Sequence, residues 1–244
     1  LLALSAALIG AFLWNESRAK HPLVPLSIFK IRNVSGANAM VMPLMAGMLG
    51  MFFLLSLYIA TVMKYTPVET GLSFLPFPIV LSIMSNLVPK FLPKFGFKKI
   101  LVAGTILVTA GLIWLSQLTI GSSYAAGILP AILMMSAGMG MAFVSVTIAA
   151  TSGVPANEAG LASGLLNTSQ QMGGALGLAV LSGVATSFAH GASAQGPAAA
   201  LLAGDKAAFV AASLIALAAL VIAIVVIRDT GTQKTTASEP VVAH

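Results

Sequence analysis

The chain of 244 residues contains no cysteine and carries very little charge. Charged residues make up 7 % of the sequence, hydrophobic residues make up 58 %, and the mean hydropathy is +1.01. A water-soluble domain usually has about a quarter of its residues charged. The composition therefore excludes an ordinary soluble domain and predicts a chain that faces lipid. The lack of cysteine excludes disulfides, thiolate metal sites and cysteine nucleophiles.

Motifs for enzymatic chemistry are missing as well. No Walker A glycine loop occurs, and the three histidines are too far apart in sequence to suggest a metal cluster or a catalytic dyad. The basic residues form no continuous stripe and do not alternate with aromatics, which argues against nucleic-acid binding despite the net charge of +6. We therefore expect no enzyme activity, no cofactor, no metal and no nucleic-acid partner.

Acidic residues are confined to the ends of the apolar stretches. Proton relays in membranes normally use a buried carboxylate or histidine. We therefore expect no ionisable residue in the middle of a span and place the proton-coupling carboxylate outside this chain. The six acids are Glu16, Glu69, Glu158, Asp205, Asp229 and Glu239.

Long uncharged stretches predict transmembrane helices, because a helix needs about 20 apolar residues to cross a bilayer. The alternating polarity of β-barrel strands is absent. We predict an all-α membrane protein with a six-helix transmembrane bundle over 36–227, preceded by a cytoplasmic or interfacial linker over 15–35 and followed by a cytoplasmic tail over 228–244. The predicted spans lie near 36–62, 70–89, 100–119, 124–149, 158–187 and 207–227.

The first 14 residues are apolar, begin with leucine and lack the basic segment of a signal peptide. We interpret 1–14 as the end of a preceding transmembrane helix and the chain as a fragment of a longer protein.

The distribution of lysine and arginine predicts the orientation. Cytoplasmic loops of membrane proteins are enriched in these residues. Ten of the twelve basic residues fall in one set of loops, and only Lys64 and Lys206 fall in the other. The bias predicts a multi-pass protein of the cell membrane with a cytoplasmic C-terminus. The predicted cytoplasmic set is Arg18, Lys20, Lys30, Arg32, Lys90, Lys94, Lys98, Lys99, Arg228 and Lys234.

Two spans, 36–62 and 124–149, are rich in methionine and interrupted by glycine and proline. Broken helices in transporters tend to line cavities, and methionine adapts to varied apolar ligands. We predict a substrate cavity between these spans. The alternative for each methionine is plain packing or contact with lipid. The candidate cavity residues are Met40, Met48, Met51, Met135 and Met139.

The span 158–187 carries glycines and amides on one face. The seven residues of this face lie within about 40° of one line at 100° per residue. Glycine permits close helix approach, and amides can bond across the contact. The face is either a static helix–helix seam or a sliding interface or pathway wall, where small residues permit movement and the amides meet water or substrate. Its members are Gly160, Gly164, Asn167, Gln171 and Gly174, followed by Leu178 and Ser182.

The segment between the second and third spans, residues 89–99, is basic and contains one glycine. The positive-inside rule alone explains it as a cytoplasmic anchor. Its candidate residues are Lys94, Gly96, Lys98 and Lys99.

A second local signal is the Thr66–Glu69 capping box with Pro67 in the first turn, which predicts a helix start.

Three segments resemble the major facilitator superfamily, specifically its fourteen-span drug:proton antiporter branch of the EmrB/QacA type. They are 65–76 (YTPVETGLSFLP), 138–150 (GMGMAFVSVTIAA) and 160–177 (GLASGLLNTSQQMGGALG). The resemblance implies two six-helix bundles with two extra helices between them. Residues 1–14 then end the second extra helix, and 36–227 form the C-terminal bundle. The basic loop is similar to a superfamily signature, but Pro93 stands where that signature has an acid, so anchoring is the role retained.

The resemblance also implies the roles of the spans and the function. It implies that 36–62 and 124–149 line the central cavity, that 70–89 and 158–187 face the other bundle, and that the coupling carboxylate lies in the N-terminal half. The expected function is efflux of hydrophobic or cationic drugs, hence antibiotic resistance, by proton antiport with alternating access. The partners are the bilayer, the N-terminal half, a small hydrophobic substrate and protons. Export of a metabolite, sugar or siderophore is the alternative; a non-transporting scaffold or enzyme subunit is a remote one.

Overall fold

A computed structural model describes residues 26–192, 194 and 196–229, together with the single positions 8, 10, 11, 14, 15 and 18. Most of the predicted helix end at 1–14 and of the predicted tail at 228–244 lies outside the described residues. Within them all regular structure is helical, which confirms the predicted all-α fold class. The helices are α1 (Arg32–Thr61), α2 (Pro67–Ser73), α3 (Pro76–Leu115), α4 (Leu129–Thr151), α5 (Ala159–Gly191) and α6 (Pro197–Val225), with short 3-10 or π turns at Leu26–Lys30, Tyr124–Ile128 and Ala156–Glu158.

Five of the described helical segments are long and apolar enough to cross a membrane. One of them, Pro67–Leu115, is 49 residues long, far more than one crossing requires. Gly96 interrupts it with φ 74° and ψ 156°, a backbone conformation that is essentially restricted to glycine. The two arms of α3, residues 76–95 and 97–115, are therefore separate helices joined at one residue.

Contacts with α4 show that the chain reverses direction at Gly96. A Cβ added to Gly104 would lie 2.6 Å from Gly138 O, and one added to Gly140 would lie 2.7 Å from Met84 Cβ. Met84 and Gly104 would be about 30 Å apart on a straight helix, yet they contact α4 at positions only two residues apart. Counting both arms of α3, the described part of the chain makes six helical passes.

The basic segment 89–99, which contains the turn at Gly96, is more helical than its sequence indicates. We expected a loop over 89–99, but helix continues through Phe95 and resumes at Phe97, so Gly96 alone makes the turn. At the start of α2, the predicted capping box is confirmed. Thr66 N donates to Glu69 Oε2 at 2.7 Å, and Glu69 N donates to Thr66 Oγ1 at 3.3 Å.

α1 corrects the expectation that Pro43 and its neighbouring glycines break the first span. The helix is continuous from Arg32 to Thr61, and it begins inside the predicted linker over 15–35. Proline removes one backbone hydrogen bond, a loss that packed neighbours in a membrane bundle can offset. The glycines instead admit neighbouring side chains: a Cβ on Gly47 would lie 3.2 Å from Leu112 Cδ1.

α6 begins about ten residues earlier than predicted, at Pro197 rather than at 207. The charges of Asp205 and Lys206 predict a loop before 207, but both residues lie inside the helix. Likewise α5 continues through His190 to Gly191. Proline at the first turn of α6 starts the helix without losing a hydrogen bond.

α1 and α4 form the centre of the bundle. Each buries 56 % of its most apolar stretch, whereas α5 buries 22 % and the segment Pro67–Leu115 buries 17 %. The outer helices α3 and α5 therefore leave most of their apolar surface uncovered by the part of the chain that the structure describes.

Candidate functional site

The predicted cavity methionines lie in the core of the bundle. Met40, Met51, Met135 and Met139 are at most 1 % exposed, and Met48 is half-buried against them. They belong to α1 and α4, the two helices predicted to line the cavity, but in this arrangement they pack against other side chains. Their role in substrate binding stays a prediction.

The predicted glycine–amide face of α5 divides into two parts. Gly160, Gly164, Asn167 and Gln171 are exposed, and a Cβ added to either glycine would meet nothing within 4 Å. Gly174 is buried against α1, where an added Cβ would collide with Leu49. The first four residues therefore form an open face. We name Gly160, Gly164, Asn167 and Gln171 the open α5 face.

The seam inside the bundle is made by other glycines that the sequence analysis missed. Gly173 and Gly177 are buried, and a Cβ on either would overlap the backbone of α1 at Met42 or Ala46. Small residues four apart lie on one helix face and allow two backbones to approach closely. That spacing within 173–177 was the signal available in the sequence.

A polar contact fixes α5 to α1 next to this seam. Ser169 Oγ donates a hydrogen bond of 2.8 Å to Asn38 Oδ1, and Asn38 Nδ2 donates to Val34 O at 2.8 Å. Asn38 is buried, so its amide would be costly without these partners. Neither residue was singled out from the sequence.

The first arm of α3 exposes a second polar face. Ser82 and Asn86 are exposed one turn apart, and Asn86 Nδ2 donates to Ser82 O at 2.8 Å. Amides and hydroxyls facing hydrocarbon are unfavourable compared with contacts to protein or water. This arm and α5 are the two helices predicted to face another bundle.

The basic turn at Gly96 is held by the far end of the chain. Asp229 Oδ1 accepts a hydrogen bond of 3.0 Å from the backbone N of Lys98, and Lys98 Nζ donates to Ile224 O at 2.8 Å. A Cβ added to Gly96 would lie 2.9 Å from Asp229 Oδ2. Lys94 and Lys99 are exposed. Gly96 and Lys98 therefore hold the turn against the end of α6 and the residues that follow it.

Arg32 and Asn33 bind the same end of α6. Arg32 Nε donates to Val226 O at 2.8 Å, and Asn33 exchanges hydrogen bonds of 2.9 and 3.0 Å with the backbone of Arg228. Cationic donors at a helix C-terminus satisfy its free carbonyl groups. Three segments predicted on one side of the membrane thus meet at one end, which we name the basic end.

A cavity of about 360 Å³ lies beside the basic end. Its wall is apolar, built from both arms of α3 and from Met141 of α4, and Lys99 is the charged residue on it. Both arms border this open-sided space because the chain reverses at Gly96.

A larger cavity of about 410 Å³ lies at the opposite end, between α1, α5 and α6. Phe53 and Leu57 contribute apolar surface, and Asp205 lies on the wall. Asp205 is 0 % exposed, and neither carboxylate oxygen has a hydrogen-bond partner among the described residues. The expectation that every acid sits at a span end is therefore wrong for Asp205, which lies about two turns inside α6. Sequence reasoning missed it because the adjacent Lys206 made the pair resemble a loop.

Comparison with known proteins adds to this geometry. Residues 1–178 match the Major Facilitator Superfamily. The chain is 33 % identical over 190 residues to a puromycin resistance protein of Streptomyces alboniger, covering 76 % of this chain and 38 % of that protein. It is 34 % identical over 187 residues to a cephamycin export protein of Amycolatopsis lactamdurans, with the same two coverages. It is 30 % identical over 186 residues to the multidrug resistance protein Stp of Mycobacterium tuberculosis, covering 75 % of this chain and 34 % of that protein. The chain thus spans little more than a third of these relatives.

Proposed function

Because this chain belongs to the Major Facilitator Superfamily, we propose that it is the C-terminal bundle of an exporter that moves hydrophobic or cationic drugs out of the cell by proton antiport. The relatives with resistance or export names are about three times as long as the matched region, so the rest of the transporter comes from sequence outside this chain. A membrane transporter of this kind is not an enzyme and needs no resident cofactor.

The observation that carries the proposal is the open α5 face. Two glycines and two amides are exposed on a helix that is otherwise apolar enough to span the bilayer. Lipid is a poor neighbour for amides, whereas a second helix bundle can approach the glycines and bond to the amides. The exposed Ser82 and Asn86 extend the same polar character to the first arm of α3.

Alternating access follows from the contrast between the two glycine surfaces. At Gly173 and Gly177 the backbone of α5 packs closely against that of α1, so we expect α5 to move together with α1. Gly160 and Gly164 lie on the other side of α5, where an added Cβ would meet nothing within 4 Å, so no side chain projects from these two positions. We propose that α1 and α5 move together and that this bundle rocks against its partner along the open α5 face. Binding of a drug between the bundles then uses the methionine-rich helices α1 and α4.

The proposed location is the cell membrane, with the basic end and the C-terminus in the cytoplasm. The support is the meeting of Arg32, Lys98 and Arg228 at one end of the bundle. The cavity that contains Asp205 then lies towards the outside.

The test is efflux of a fluorescent cation from cells that express the full-length protein. We expect the cells to lose the dye faster than cells with an empty vector, and a protonophore to abolish the difference. Efflux that continued unchanged after collapse of the proton gradient would contradict antiport. Residues 1–244 alone, reconstituted in liposomes, are expected to move no dye.

Export of one dedicated metabolite is the second candidate. The cephamycin export protein, which is 34 % identical over the matched region, is named for a single product. Competition decides between the two: a multidrug exporter is inhibited by several unrelated hydrophobic cations, whereas a dedicated exporter is not.

A further inference from the structure

Asp205 is buried without compensation. Its side chain is 0 % exposed, both carboxylate oxygens lack a hydrogen-bond partner among the described residues, and it belongs to a helix that spans the membrane. A carboxylate in such a place is costly unless it is paired or neutralised. A carboxyl group that only stabilised the fold would be expected to have a donor.

None of the residues that the structure describes donates a hydrogen bond to Asp205. On α5, Thr186 Oγ1 donates to Ser182 O at 2.8 Å and Ser182 Oγ donates to Ala179 O at 3.2 Å, so both hydroxyl groups are engaged within their own helix. On α1, Tyr58 lies near Asp205, but its hydroxyl donates to Thr119 O at 2.6 Å.

The ionisable groups near Asp205 are few. His190 of α5 lies on the wall of the same cavity, and Tyr58 of α1 is close enough to interact electrostatically with Asp205. Lys206 is the next residue of α6, and successive residues of a helix do not face each other. The charged residues of α3 all fall within 90–99, at the basic end.

The cavity links this carboxyl group to the end of the bundle. Ser182, Thr186 and His190 follow one another at four-residue intervals on α5 and form its polar edge. The cavity thus runs along α5 towards His190, in the last turn of that helix. Asp205 itself is covered where α6 meets α5: a Cβ on Gly204 would overlap Ala185 O.

We propose that Asp205 is a proton-binding site, occluded in this conformation and loaded from the cavity when α5 and α6 separate at the Gly204–Ala185 contact. A proton adds to one carboxylate oxygen and gives the neutral acid, which can remain buried without a donor. Loss of the proton leaves a charge that requires water or another partner, so release favours an open cavity. The role of Asp205 as a step in transport rests on the proposed function. The binding of a proton by Asp205 is independent of that function.

Infrared spectroscopy of the full-length protein in lipid nanodiscs tests the binding. We expect a carbonyl stretch of a protonated carboxyl group that disappears as the pH is raised. Asp205→Asn keeps the size of the side chain but cannot bind the proton, so the part of this pH-dependent signal that comes from Asp205 is expected to be lost, and only the contribution of other carboxyl groups is expected to remain. Glu158→Gln removes an acid at the start of α5 to which no role is assigned, and the signal is expected to remain. A signal in Asp205→Asn equal to that of the unmodified protein would overturn the site.

Proteoliposomes test the role in transport with the same variants. Proton-driven efflux of a fluorescent cation is expected to be lost in Asp205→Asn and kept in Glu158→Gln, while binding of the cation is retained in both. Efflux in Asp205→Asn with the unmodified pH dependence would overturn the coupling role. Absence of efflux in the unmodified protein would instead contradict the proposed function, and the infrared signal would still decide whether Asp205 binds a proton.

Discussion

Asp229 accepts a hydrogen bond from the backbone N–H of Lys98 at 3.0 Å, across 131 residues of sequence. Lys98 is the second residue of the arm that begins after Gly96, so the carboxylate satisfies a free N–H at a helix start in the manner of an N-cap. In the sequence signature that the basic turn resembles, an acid is expected where this chain has Pro93. Here the carboxylate at the turn comes from the end of α6.

Replacing Asp229 tests this contact. Asp229→Ala removes the acceptor and is expected to lower the free energy of unfolding by about 1 kcal/mol, the usual cost of losing a helix cap. Asp229→Asn keeps an acceptor oxygen and is the matched control, with a smaller loss. Thermal unfolding of the full-length protein in detergent measures both. Equal losses in the two variants would show that the acceptor geometry is unimportant.

Gly96 is expected to tolerate no side chain. Gly96→Ala places a Cβ at φ 74° and 2.9 Å from Asp229 Oδ2. The backbone strain alone costs about 1–3 kcal/mol, so the yield of folded protein and its unfolding temperature should fall. Gly121→Ala is the control, because a Cβ there meets nothing within 4 Å. If the two variants were equally stable, the one-residue turn would be wrong.

A larger side chain in the seam between α1 and α5 is expected to destabilise the protein. Gly177→Ala forces a Cβ against the backbone of Ala46, and overpacking of this kind costs about 1–3 kcal/mol. Gly183→Ala, six residues further along α5 in open space, is expected to be neutral. The fluorescence-detected melting temperatures of the two full-length variants provide the comparison. A neutral Gly177→Ala would mean that α1 and α5 are not in this close contact.

The Ser169–Asn38 hydrogen bond is expected to contribute to the same seam. Ser169→Ala leaves Asn38 Oδ1 without its donor, and a net loss of about 1 kcal/mol follows. Ser163→Ala is the control, since Ser163 Oγ is exposed and donates to Ala159 O of its own helix. Chemical unfolding distinguishes the pair, and an undiminished stability of Ser169→Ala would argue against the bond.

The open α5 face predicts a loss of transport without a loss of fold. Gln171→Leu removes an exposed amide proposed to bond to the partner bundle, so dye efflux should fall while the melting temperature is unchanged. Met172→Leu changes the neighbouring exposed residue, which points about 100° away, and efflux should persist. Normal efflux by Gln171→Leu would remove this residue from the seam.

Much of the fold could be predicted because a bilayer constrains a sequence strongly. The apolar stretches located the helices, and the Thr66–Glu69 box located the start of α2. The boundaries at 197 and at Gly96 could not be predicted, because a charged residue does not always mark the end of a helix. Asp205 is a charge that lies inside one, and residues 90–99 remain helical on either side of a single glycine.

The site was less accessible to sequence reasoning. Periodicity identified the polar face of α5, yet it grouped Gly174 with Gly160 and Gly164, although the first is buried and the others are open. A face defined by angle alone does not indicate where a neighbouring helix begins to cover it. The methionines of α1 and α4 show the same limit, since the core and a cavity wall have the same composition.

The sequence by itself determined that this protein lies in a lipid bilayer, that its fold is helical and which family it belongs to. These properties depend on composition, segment length and local motifs. The tertiary structure decided which contacts those helices make. Asp229 reaches Lys98, Ser169 reaches Asn38, and Asp205 is left with no partner among the described residues. The two hydrogen bonds join positions far apart in the chain, and all three features exist only once the packing of α1, α3, α5 and α6 is fixed.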